Sequence, residues 1–377
     1  MTIAIVHDWL TGMRGGEKVL EVLCERFPDS ELFTLIHVPG SVSPVIERRP
    51  IHTSALQLLP GVAHYYRQCL PLFPVLIERF DLNRFDLVLS SSHCVAKSVL
   101  ARPGAVHICY CHTPMRYAWD QFDSYFGPAR IGRVPSAVMK RVMARLARWD
   151  RDTSGRVSRY VTNSQHVAGR IRRYYNREAT VVYAPVDTDF FRPDSAVSEA
   201  YALVVSALVP YKRVDLAIDA CRLARVPLKL VGDGPDRASL ERRARDAGGP
   251  GGPGSNVEFL GRRTNEEIRD LYCRAAVVVL PGEEDFGIVP LEAQACGRPV
   301  VAYARGGALE TVVPGQTGIL VDEATPSAFA HAIQRAIERP FDTVAIRRHA
   351  ERFGRARFGD EMEALVRETT RAETMTW

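Results

Sequence analysis

The segment that decides the fold is Gly282-Glu-Glu-Asp-Phe-Gly-Ile-Val-Pro-Leu-Glu292, which follows the apolar run 275–280. An unbroken apolar run of this length predicts a buried parallel strand, and the glycine beyond it predicts a turn into a helix. The free N–H groups at a helix start favour anions such as diphosphate. Glu284 and Glu292, with seven residues between them, can accept hydrogen bonds from hydroxyl groups. The segment therefore predicts a site for a diphosphate that carries hydroxyl-bearing groups, as in a nucleotide sugar.

The acidic residues of this segment also have an ordinary structural explanation. Glu283, Glu284 and Asp285 precede the predicted helix, where negative charge interacts favourably with the helix dipole. The segment nevertheless resembles the Glu-x7-Glu motif of the retaining glycosyltransferases of family four. This resemblance implies the GT-B fold, an α/β architecture of two doubly wound Rossmann-like domains that face a central cleft.

Length and composition are those of a globular protein with two domains. The 377 residues are 46% hydrophobic and 25% charged, and no apolar run approaches the length of a transmembrane helix. The first residues predict a strand rather than a secretion signal, and the eight cysteines lack disulfide or zinc spacing. We therefore expect a cytoplasmic protein, peripheral on the inner face of the plasma membrane if its acceptor is lipid-linked.

Strand and helix signals alternate along the chain, which predicts parallel sheets covered by helices. A proline-containing linker at 183–194 separates an expected acceptor-side domain, 1–185, from an expected donor-binding domain, 186–357. We expect a C-terminal helix, 358–377, to pack back on the first domain. The Gly- and Pro-rich segment 248–255 is expected to be a surface loop.

The predicted strands are short and mostly apolar. They are 3–7, 31–35, 87–90, 106–110, 159–163 and 180–183 in the first domain, and 202–207, 228–232, 257–260, 276–280 and 300–303 in the second. Helices are predicted at 16–26, 164–174, 214–224 and 236–246.

Positive charge is concentrated around a predicted helix at 134–149. Its apolar residues recur at helical spacing with basic residues between them: Val138, Val142, Leu146 and Trp149, against Lys140, Arg141, Arg145 and Arg148. Such a helix can lie on an anionic membrane surface, or it can be a domain helix with a solvated basic face. Nucleic acid is not expected as a partner, because aromatic stacking groups are not interleaved with the basic residues.

Lys212 and Arg213 follow the predicted strand 202–207. Cations just beyond a strand end can neutralise a diphosphate, whose charge grows during glycosyl transfer. A solvated loop lysine is the common alternative. The family usually has an arginine five residues before this lysine, and here that residue is Ala207. The resemblance implies a catalytic role for Lys212, with Arg213 as the candidate to supply the missing charge.

The resemblance also assigns roles to residues of the opening motif. Glu284 is expected to be catalytic and to contact the hydroxyl groups of the donor sugar, and Glu292 is expected to accept from the ribose. The backbone amides expected to face sugar and phosphate belong to Gly287, Ile288 and Val289. Gly232 ends another predicted strand, where a glycine either lets a donor approach the backbone or forms a plain turn.

In the first domain, Gly15 and Gly16 supply a turn and a helix start suited to phosphate. The family places such a pair against the donor diphosphate. His112 begins the run His112-Thr-Pro-Met-Arg-Tyr-Ala-Trp-Asp120, which resembles the signature of a mannosyltransferase-like subgroup that makes O-antigens and other exopolysaccharides. In the wider family the matching histidine lies near the reacting centre, so the resemblance implies that His112 is catalytic.

A second run of the first domain, Ser90-Ser-Ser-His93-Cys-Val-Ala-Lys97, also matches the family. Its serines are candidates to cap a helix, and its polar groups are candidates to meet an acceptor. His93 has either a structural role or a place in the site.

The resemblance implies a retaining hexosyltransferase with a nucleotide-sugar donor, GDP-mannose favoured, and a saccharide or lipid-linked saccharide acceptor in cell-surface polysaccharide biosynthesis. Such transfer needs positioned cations and amides rather than a covalent nucleophile. No divalent metal is expected, because no Asp-x-Asp tripeptide stands in a metal-binding context; Asp187-Thr-Asp189 lies in the linker. Two other functions stay open. One is a catalytically silent nucleotide-sugar-binding scaffold subunit, because Ala207 stands where the family has an arginine. The other is a GT-B sugar-nucleotide epimerase.

Overall fold

The computed structural model describes residues 1–194, 198–246 and 256–375. The chain divides into two compact units, Met1–Pro185 with Ala356–Trp377, and Val186–Arg355. The predicted surface loop at 248–255 lies outside the described residues.

The first unit is built on a seven-stranded sheet in which all neighbouring strands are parallel. The strands are β1 (Ile3–His7), β2 (Glu31–Thr34), β3 (Ile51–Thr53), β4 (Leu87–Ser92), β5 (Val106–Cys111), β6 (Arg159–Thr162) and β7 (Ala179–Val181). Their order is β3-β2-β1-β4-β5-β6-β7. The order reverses between β1 and β4, which makes the carboxyl ends of these two strands the expected ligand site of the sheet.

Helices and short 3₁₀ turns connect these strands. The α-helices are α1 (Gly15–Arg26), α2 (Pro44–Glu47), α3 (Val62–Tyr65), α4 (Phe73–Ile77), α5 (Arg116–Trp119), α6 (Phe122–Phe126), α7 (Pro128–Ile131), α8 (Arg133–Asp152) and α9 (Gln165–Tyr175). The 3₁₀ helices are Ala55–Leu58, Tyr66–Leu72, Ala96–Ser98 and Thr153–Arg156.

The second unit repeats the plan with six parallel strands. The strands are β8 (Ala202–Val205), β9 (Leu228–Val231), β10 (Val257–Gly261), β11 (Val277–Leu280), β12 (Val300–Tyr303) and β13 (Gly318–Val321), in the order β10-β9-β8-β11-β12-β13. The order reverses between β8 and β11.

The α-helices of this unit are α10 (Val214–Ala224), α11 (Arg237–Asp246), α12 (Asn265–Arg274), α13 (Ile288–Ala295), α14 (Ala308–Thr311), α15 (Pro326–Glu338) and α16 (Thr343–Glu351), with a 3₁₀ turn at Pro210–Lys212. The last helix, α17 (Arg355–Met375), returns to the first unit at Ala356. There the Phe358 ring lies 5.5 Å from the Tyr110 ring, and Arg26 donates to Glu363 at 3.2 Å.

The predicted α/β architecture of two Rossmann-like domains is confirmed by these two sheets. The strands β3 and β13 were not predicted. Strand β3 is a three-residue edge strand with two polar residues, so it carries little apolar signal. Strand β13 begins at Gly318, where an added Cβ would overlap the backbone of Val300 in the neighbouring strand. The glycine is required by packing although glycine is unfavourable in strands.

Candidate active site

The second unit brings Lys212 and Glu284 together. Lys212 lies in the turn after β8 and Glu284 in the loop after β11, the two strands at which the strand order reverses. The Lys212 ammonium contacts the Glu284 carboxylate, and their side chains are only 17% and 13% exposed. Gly282 permits this approach, since a Cβ at that position would overlap the Tyr211 carbonyl oxygen and lie 2.8 Å from Lys212 Cα. The arrangement places a cation and a carboxylate at the switch point of the sheet.

The loop between β12 and α14 fixes the backbone of Glu284. The Gly307 N–H donates to the Glu284 carbonyl oxygen at 2.8 Å, and Glu284 also forms an isolated parallel bridge with Gly306. A Cβ on Gly306 would overlap that carbonyl, and a Cβ on Gly307 would overlap Phe286. The glycine pair in the sequence therefore has a packing role: it lets two loops meet at the base of Glu284.

Helix α13 begins directly after Gly287, whose φ of 87° is in the left-handed region that favours glycine. Ile288 and Val289 are its first two residues, so their N–H groups have no acceptor within the helix. Pro290 follows and has no N–H. Both N–H groups are therefore left for acceptors outside α13.

Glu292 lies in the same helix and is buried. The Tyr272 hydroxyl donates to its Oε2 atom at 3.1 Å. Burial, together with the neighbouring Glu292 carboxylate, raises the pKa of Tyr272 well above its usual value, so the hydroxyl keeps its proton and stays a donor. Tyr272 is a site neighbour that sequence reasoning missed, because α12 contributes it.

Arg213 and Gly232, two further predicted site residues of this unit, contact other protein groups. Arg213 adopts a left-handed backbone with φ of 51°, and its guanidinium donates to Asp215 at 3.2 Å. Gly232 faces Ser206, whose carbonyl a Cβ at position 232 would overlap. Ala207, where the family has arginine, is exposed. The glycine is therefore explained by contact between two loops, and the Arg213 charge is shared with Asp215.

The first unit assembles a polar cluster around His112, which follows β5. The Ser91 hydroxyl lies 2.8 Å from His112 Nε2 and 3.1 Å from His7 Nδ1. Gly16 packs against both rings: a Cβ there would lie 3.6 Å from His112 Nε2 and 3.6 Å from His7 Cε1. Gly15 is the first residue of α1. The structure thus brings the predicted residues Gly16 and His112 together.

A buried carboxylate holds the neighbouring loop. Asp8 accepts four backbone N–H groups at 2.6–2.9 Å, from the consecutive residues His93, Cys94, Val95 and Ala96. The His93 Nδ1 atom also lies 3.1 Å from Asp8 Oδ2. The His93 side chain is 31% exposed, and its ring centroid lies 6.3 Å from that of His112. Asp8 therefore orients both the loop and the His93 ring.

Burial favours the neutral form of the His93 and His112 imidazoles. Burial lowers the pKa of His93, and burial together with the rings of His93 and His7 lowers the pKa of His112 well below its usual value. Sequence reasoning missed His7, Asp8 and Glu17, whereas Ser91 lies in the run 90–97 that the sequence singled out, without a predicted contact to His112. The available signal was the position of the first two, directly at the carboxyl end of the first strand.

The expectation that the serines of the run 90–97 cap a helix is wrong. Strand β4 continues through Ser92, and two of its three serine hydroxyls contact histidines: Ser90 contacts His107 at 2.8 Å, and Ser91 contacts His112 and His7 as described above. Lys97 is also unavailable to an acceptor. It is 1% exposed, and its ammonium lies 3.0 Å from Asp150 Oδ1.

The basic helix predicted at 134–149 is α8. Leu146 is buried, but Val138 is 53% exposed, so the apolar stripe is narrower than expected. The described residues offer no carboxylate partner to Lys140, Arg141 or Arg145, all of which are exposed. The helix presents an exposed basic face with an exposed valine beside it.

The comparisons with known proteins agree with this geometry. Residues 13–190 match the family described as Glycosyltransferase Family 4, and residues 186–357 match the one described as Glycosyl transferases group 1. The chain belongs to glycosyltransferase family four. Within the described residues of this family member, no helix is long and apolar enough to cross a membrane, and no three His, Cys, Asp or Glu side chains are grouped to hold a metal.

Curated relatives of this family-four chain align with about half of it. The GDP-mannose-dependent alpha-(1-6)-phosphatidylinositol monomannoside mannosyltransferase of Mycolicibacterium smegmatis is 34% identical over 203 residues, 47% of this chain and 52% of that protein. The D-inositol 3-phosphate glycosyltransferase of Streptomyces bingchenggensis is 30% identical over 230 residues, 53% of this chain and 50% of that protein. The chain spans about half the length of the curated relatives that it matches.

Solved structures establish the GT-B fold over nearly the whole chain. Anabaena Alr3699/HepE, solved with UDP-glucose, superposes with a TM-score of 0.72 at 20% identity, covering 98% of this chain and 100% of that one. Sucrose-phosphate synthase from Thermosynechococcus elongatus gives 0.70 at 17% identity, with 99% and 100% covered. At these identities the similarity concerns the fold.

Proposed function

We propose that this chain is a retaining hexosyltransferase that moves mannose from GDP-mannose to a saccharide or lipid-linked saccharide acceptor in cell-surface polysaccharide biosynthesis. The observation that carries the proposal is the contact between Lys212 and Glu284, in the loop that leads into α13. A cation, a carboxylate and the amides at a helix start suit the diphosphate and hydroxyl groups of a nucleotide sugar.

The proposed chemistry uses position and charge. The amides of Ile288 and Val289 and the Lys212 ammonium would hold the diphosphate and stabilise the charge that grows on the departing phosphate. Glu284 would accept from hydroxyls of the donor sugar, and Glu292 from the ribose. The departing phosphate oxygen takes the proton of the acceptor hydroxyl as the new glycosidic bond forms on the same face. His112, Gly15 and Gly16 are proposed to contact the donor, as in the family.

The preference for GDP-mannose rests on the run 112–120 and on the name of the Mycolicibacterium smegmatis relative. The test is thermal stability of the purified protein with GDP, UDP, ADP or dTDP, each with and without chelator. A nucleotide at about 100 times its Kd should add about 2.7 kcal/mol of stability. We expect stabilisation by GDP that chelator does not remove. Stabilisation by UDP alone, the nucleotide part of the Anabaena ligand, would contradict the proposed donor.

Catalysis is tested separately from binding. Purified protein with GDP-mannose should release GDP, slowly by hydrolysis and faster when a saccharide acceptor is present, with retention at the anomeric carbon. Abolition by excess chelator would contradict the proposed metal independence. Binding of the nucleotide sugar without any turnover would favour a silent scaffold subunit, the alternative that the replacement of the family's arginine by Ala207 leaves open. Formation of an isomeric sugar nucleotide would favour an epimerase.

We further propose that α8 places the protein on the inner face of an anionic membrane. The described residues leave Lys140, Arg141 and Arg145 without a carboxylate partner, and these cations, together with the exposed Val138, would suit phosphate headgroups and the outer part of the acyl layer. A lipid-linked acceptor would then be concentrated at the surface where the enzyme works.

Vesicle co-sedimentation tests this surface. Binding to vesicles of phosphatidylcholine and phosphatidylglycerol is expected to weaken about tenfold or more in the double variant Arg141→Gln and Arg145→Gln. The control is Arg172→Gln, because Arg172 is paired with Glu178 at 2.8 Å. Equal binding to vesicles of phosphatidylcholine alone would contradict an electrostatic role for α8.

A further inference from the structure

Polar side chains of the first unit form a continuous series of contacts that ends at His112. The Ser91 hydroxyl oxygen lies 2.8 Å from His112 Nε2 and 3.1 Å from His7 Nδ1. His7 is fully buried, and its Nε2 atom, which makes no hydrogen bond to the described residues, lies 3.8 Å from Glu17 Oε1. The series therefore runs from a carboxylate through an imidazole and a hydroxyl to the candidate catalytic imidazole.

The charge of Glu17 orders the protons along this series. Although burial acts to raise it, the His7 ring and nearby groups lower the pKa of Glu17, so Glu17 is a carboxylate. A carboxylate favours a proton on the ring nitrogen that faces it, which for neutral His7 is Nε2. His7 Nδ1 then accepts from the Ser91 hydroxyl, and the Ser91 oxygen accepts from the Nε2–H of His112. The Nδ1 atom of His112 is left as an acceptor.

We propose that Glu17, His7 and Ser91 are positioning residues that hold His112 in its Nε2–H tautomer, so that Nδ1 accepts a hydrogen bond from a sugar hydroxyl. The proposal rests on the proposed role of His112 in transfer, but the tautomer is measurable without substrate. Other titratable groups of the described residues at this cluster include His93, Asp8 and Tyr110. His93 Nδ1 lies 3.1 Å from Asp8 Oδ2. The Tyr110 ring lies 5.2 Å from the His112 ring, and its hydroxyl donates to the Val182 carbonyl at 2.9 Å.

The variant Glu17→Gln is expected to reverse the direction of each hydrogen bond from His7 to His112 while keeping the shape of the side chain. Glu17 Oε2 accepts from the Arg14 N–H at 3.0 Å, and Oε1 faces His7. In the variant the amide oxygen can keep the bond from Arg14, which turns the NH₂ group toward His7. That group donates, so His7 moves its proton to Nδ1 and donates to Ser91. The Ser91 hydroxyl then donates to His112 Nε2, and His112 takes the Nδ1–H form.

The experiment is a long-range ¹H–¹⁵N correlation spectrum of the ligand-free full chain labelled at histidine, at about pH 8, above the ordinary titration range of imidazole. The His112 signals are assigned by their loss in His112→Gln. We expect the Nε2–H tautomer in the wild type and the Nδ1–H tautomer in Glu17→Gln. The control Glu25→Gln, on the exposed side of α1, should match the wild type. An Nδ1–H signal in the wild type, or an unchanged signal in folded Glu17→Gln, overturns the proposal.

The part played by Ser91 is tested by adding Glu17→Gln to two single variants, Ser91→Ala and Ser90→Ala. Ser91→Ala breaks the series of contacts, so adding Glu17→Gln should leave the His112 tautomer unchanged. Ser90→Ala removes only the bond to His107, so adding Glu17→Gln should still change His112 from the Nε2–H to the Nδ1–H tautomer. Conversion in the Ser91→Ala background would refute the route through Ser91.

Turnover gives an independent reading. With GDP-mannose, Glu17→Gln is expected to lower kcat about tenfold through the lost hydrogen bond at Nδ1. Conversion of the tautomer with unchanged kcat would overturn the acceptor role of Nδ1. A wild type that has the Nε2–H tautomer but transfers no sugar would instead defeat the proposed function.

Discussion

The ammonium group of Lys212 contacts the carboxylate of Glu284, although 71 residues separate them in the chain. The contact exists because β8 and β11 are neighbours in the sheet and Gly282 lets the two loops approach. In the proposed function these two residues serve different parts of one donor, Lys212 the diphosphate and Glu284 the sugar. Their contact fixes both side chains in place, which is the positioning that transfer requires.

Replacement of Glu284 separates catalysis from binding. Glu284→Ala is expected to lower kcat by about 100-fold or more, because the sugar loses an acceptor that positions it. GDP affinity should stay the same or rise, since Lys212 loses its carboxylate partner and keeps its charge. The measurements are steady-state kinetics and GDP titration calorimetry. Glu283→Gln, at an exposed neighbour, is the control. A collapse of GDP affinity in Glu284→Ala would contradict the proposed role.

Replacement of Lys212 should act on the diphosphate instead. Lys212→Ala is expected to raise the Kd for GDP about tenfold or more, since a charge-assisted contact to phosphate is lost. The matched control is Arg213→Ala: its guanidinium already bonds Asp215, so a smaller effect is expected. Calorimetric titration with GDP measures both. An unchanged Kd in Lys212→Ala would refute contact with the diphosphate, and an equal loss in Arg213→Ala would show that Arg213 shares the role.

The close approach of loops at Gly282 predicts a stability effect. Gly282→Ala is expected to destabilise the protein by about 1–3 kcal/mol, because the new methyl group overlaps the backbone at Tyr211 and Lys212. Gly169→Ala, at an exposed helix position with open space around it, should instead stabilise by up to about 1 kcal/mol. Denaturant unfolding measures both changes. A Gly282→Ala variant as stable as the wild type would show that the loops separate easily.

The buried imidazole of His107 predicts a pH dependence. Burial lowers the pKa of His107 to about 4, whereas an unfolded histidine titrates near 6.5. Between these values the unfolded chain binds a proton that the folded chain does not, so stability should rise with pH from about 4 to about 6.5. The contribution is about 3 kcal/mol at most. His107→Gln should flatten this rise, and His64→Gln, at an exposed residue, should not. Parallel stability profiles for the wild type and His107→Gln would contradict the assignment.

The sequence predicted much of the second unit because its signals are local. The apolar run 275–280 and Gly287 specify a strand, a turn and a helix within one short segment, and β11 and α13 lie there. The exact ends of strands were less predictable. Strand β4 extends past the predicted residues 87–90 through Ser91 and Ser92. The Ser91 hydroxyl contacts His7 and His112, which lie in other parts of the chain, and no local pattern reveals that pairing.

In the candidate site, too, some residues could be recognised from the local sequence and others only from their contacts in the fold. Glu284, Lys212 and His112 could be named from motifs, whereas Glu17 and His7 could not, since their residue types are common and only their proximity is informative. The run 90–97 contained Ser91 but did not reveal its contacts with His7 and His112. Sequence also gave no indication that Lys97 would be buried against Asp150, rather than available to an acceptor.

By itself, the sequence determined the alternation of strands and helices, the family and the identity of the strongest motif residues, because apolar periodicity and helix starts act over a few neighbouring positions. Only the tertiary structure decided which side chains meet. The order of strands in each sheet sets which loops lie side by side, and that order depends on packing between segments far apart in the chain. The pairing of Lys212 with Glu284, and the series from Glu17 to His112, follow from it.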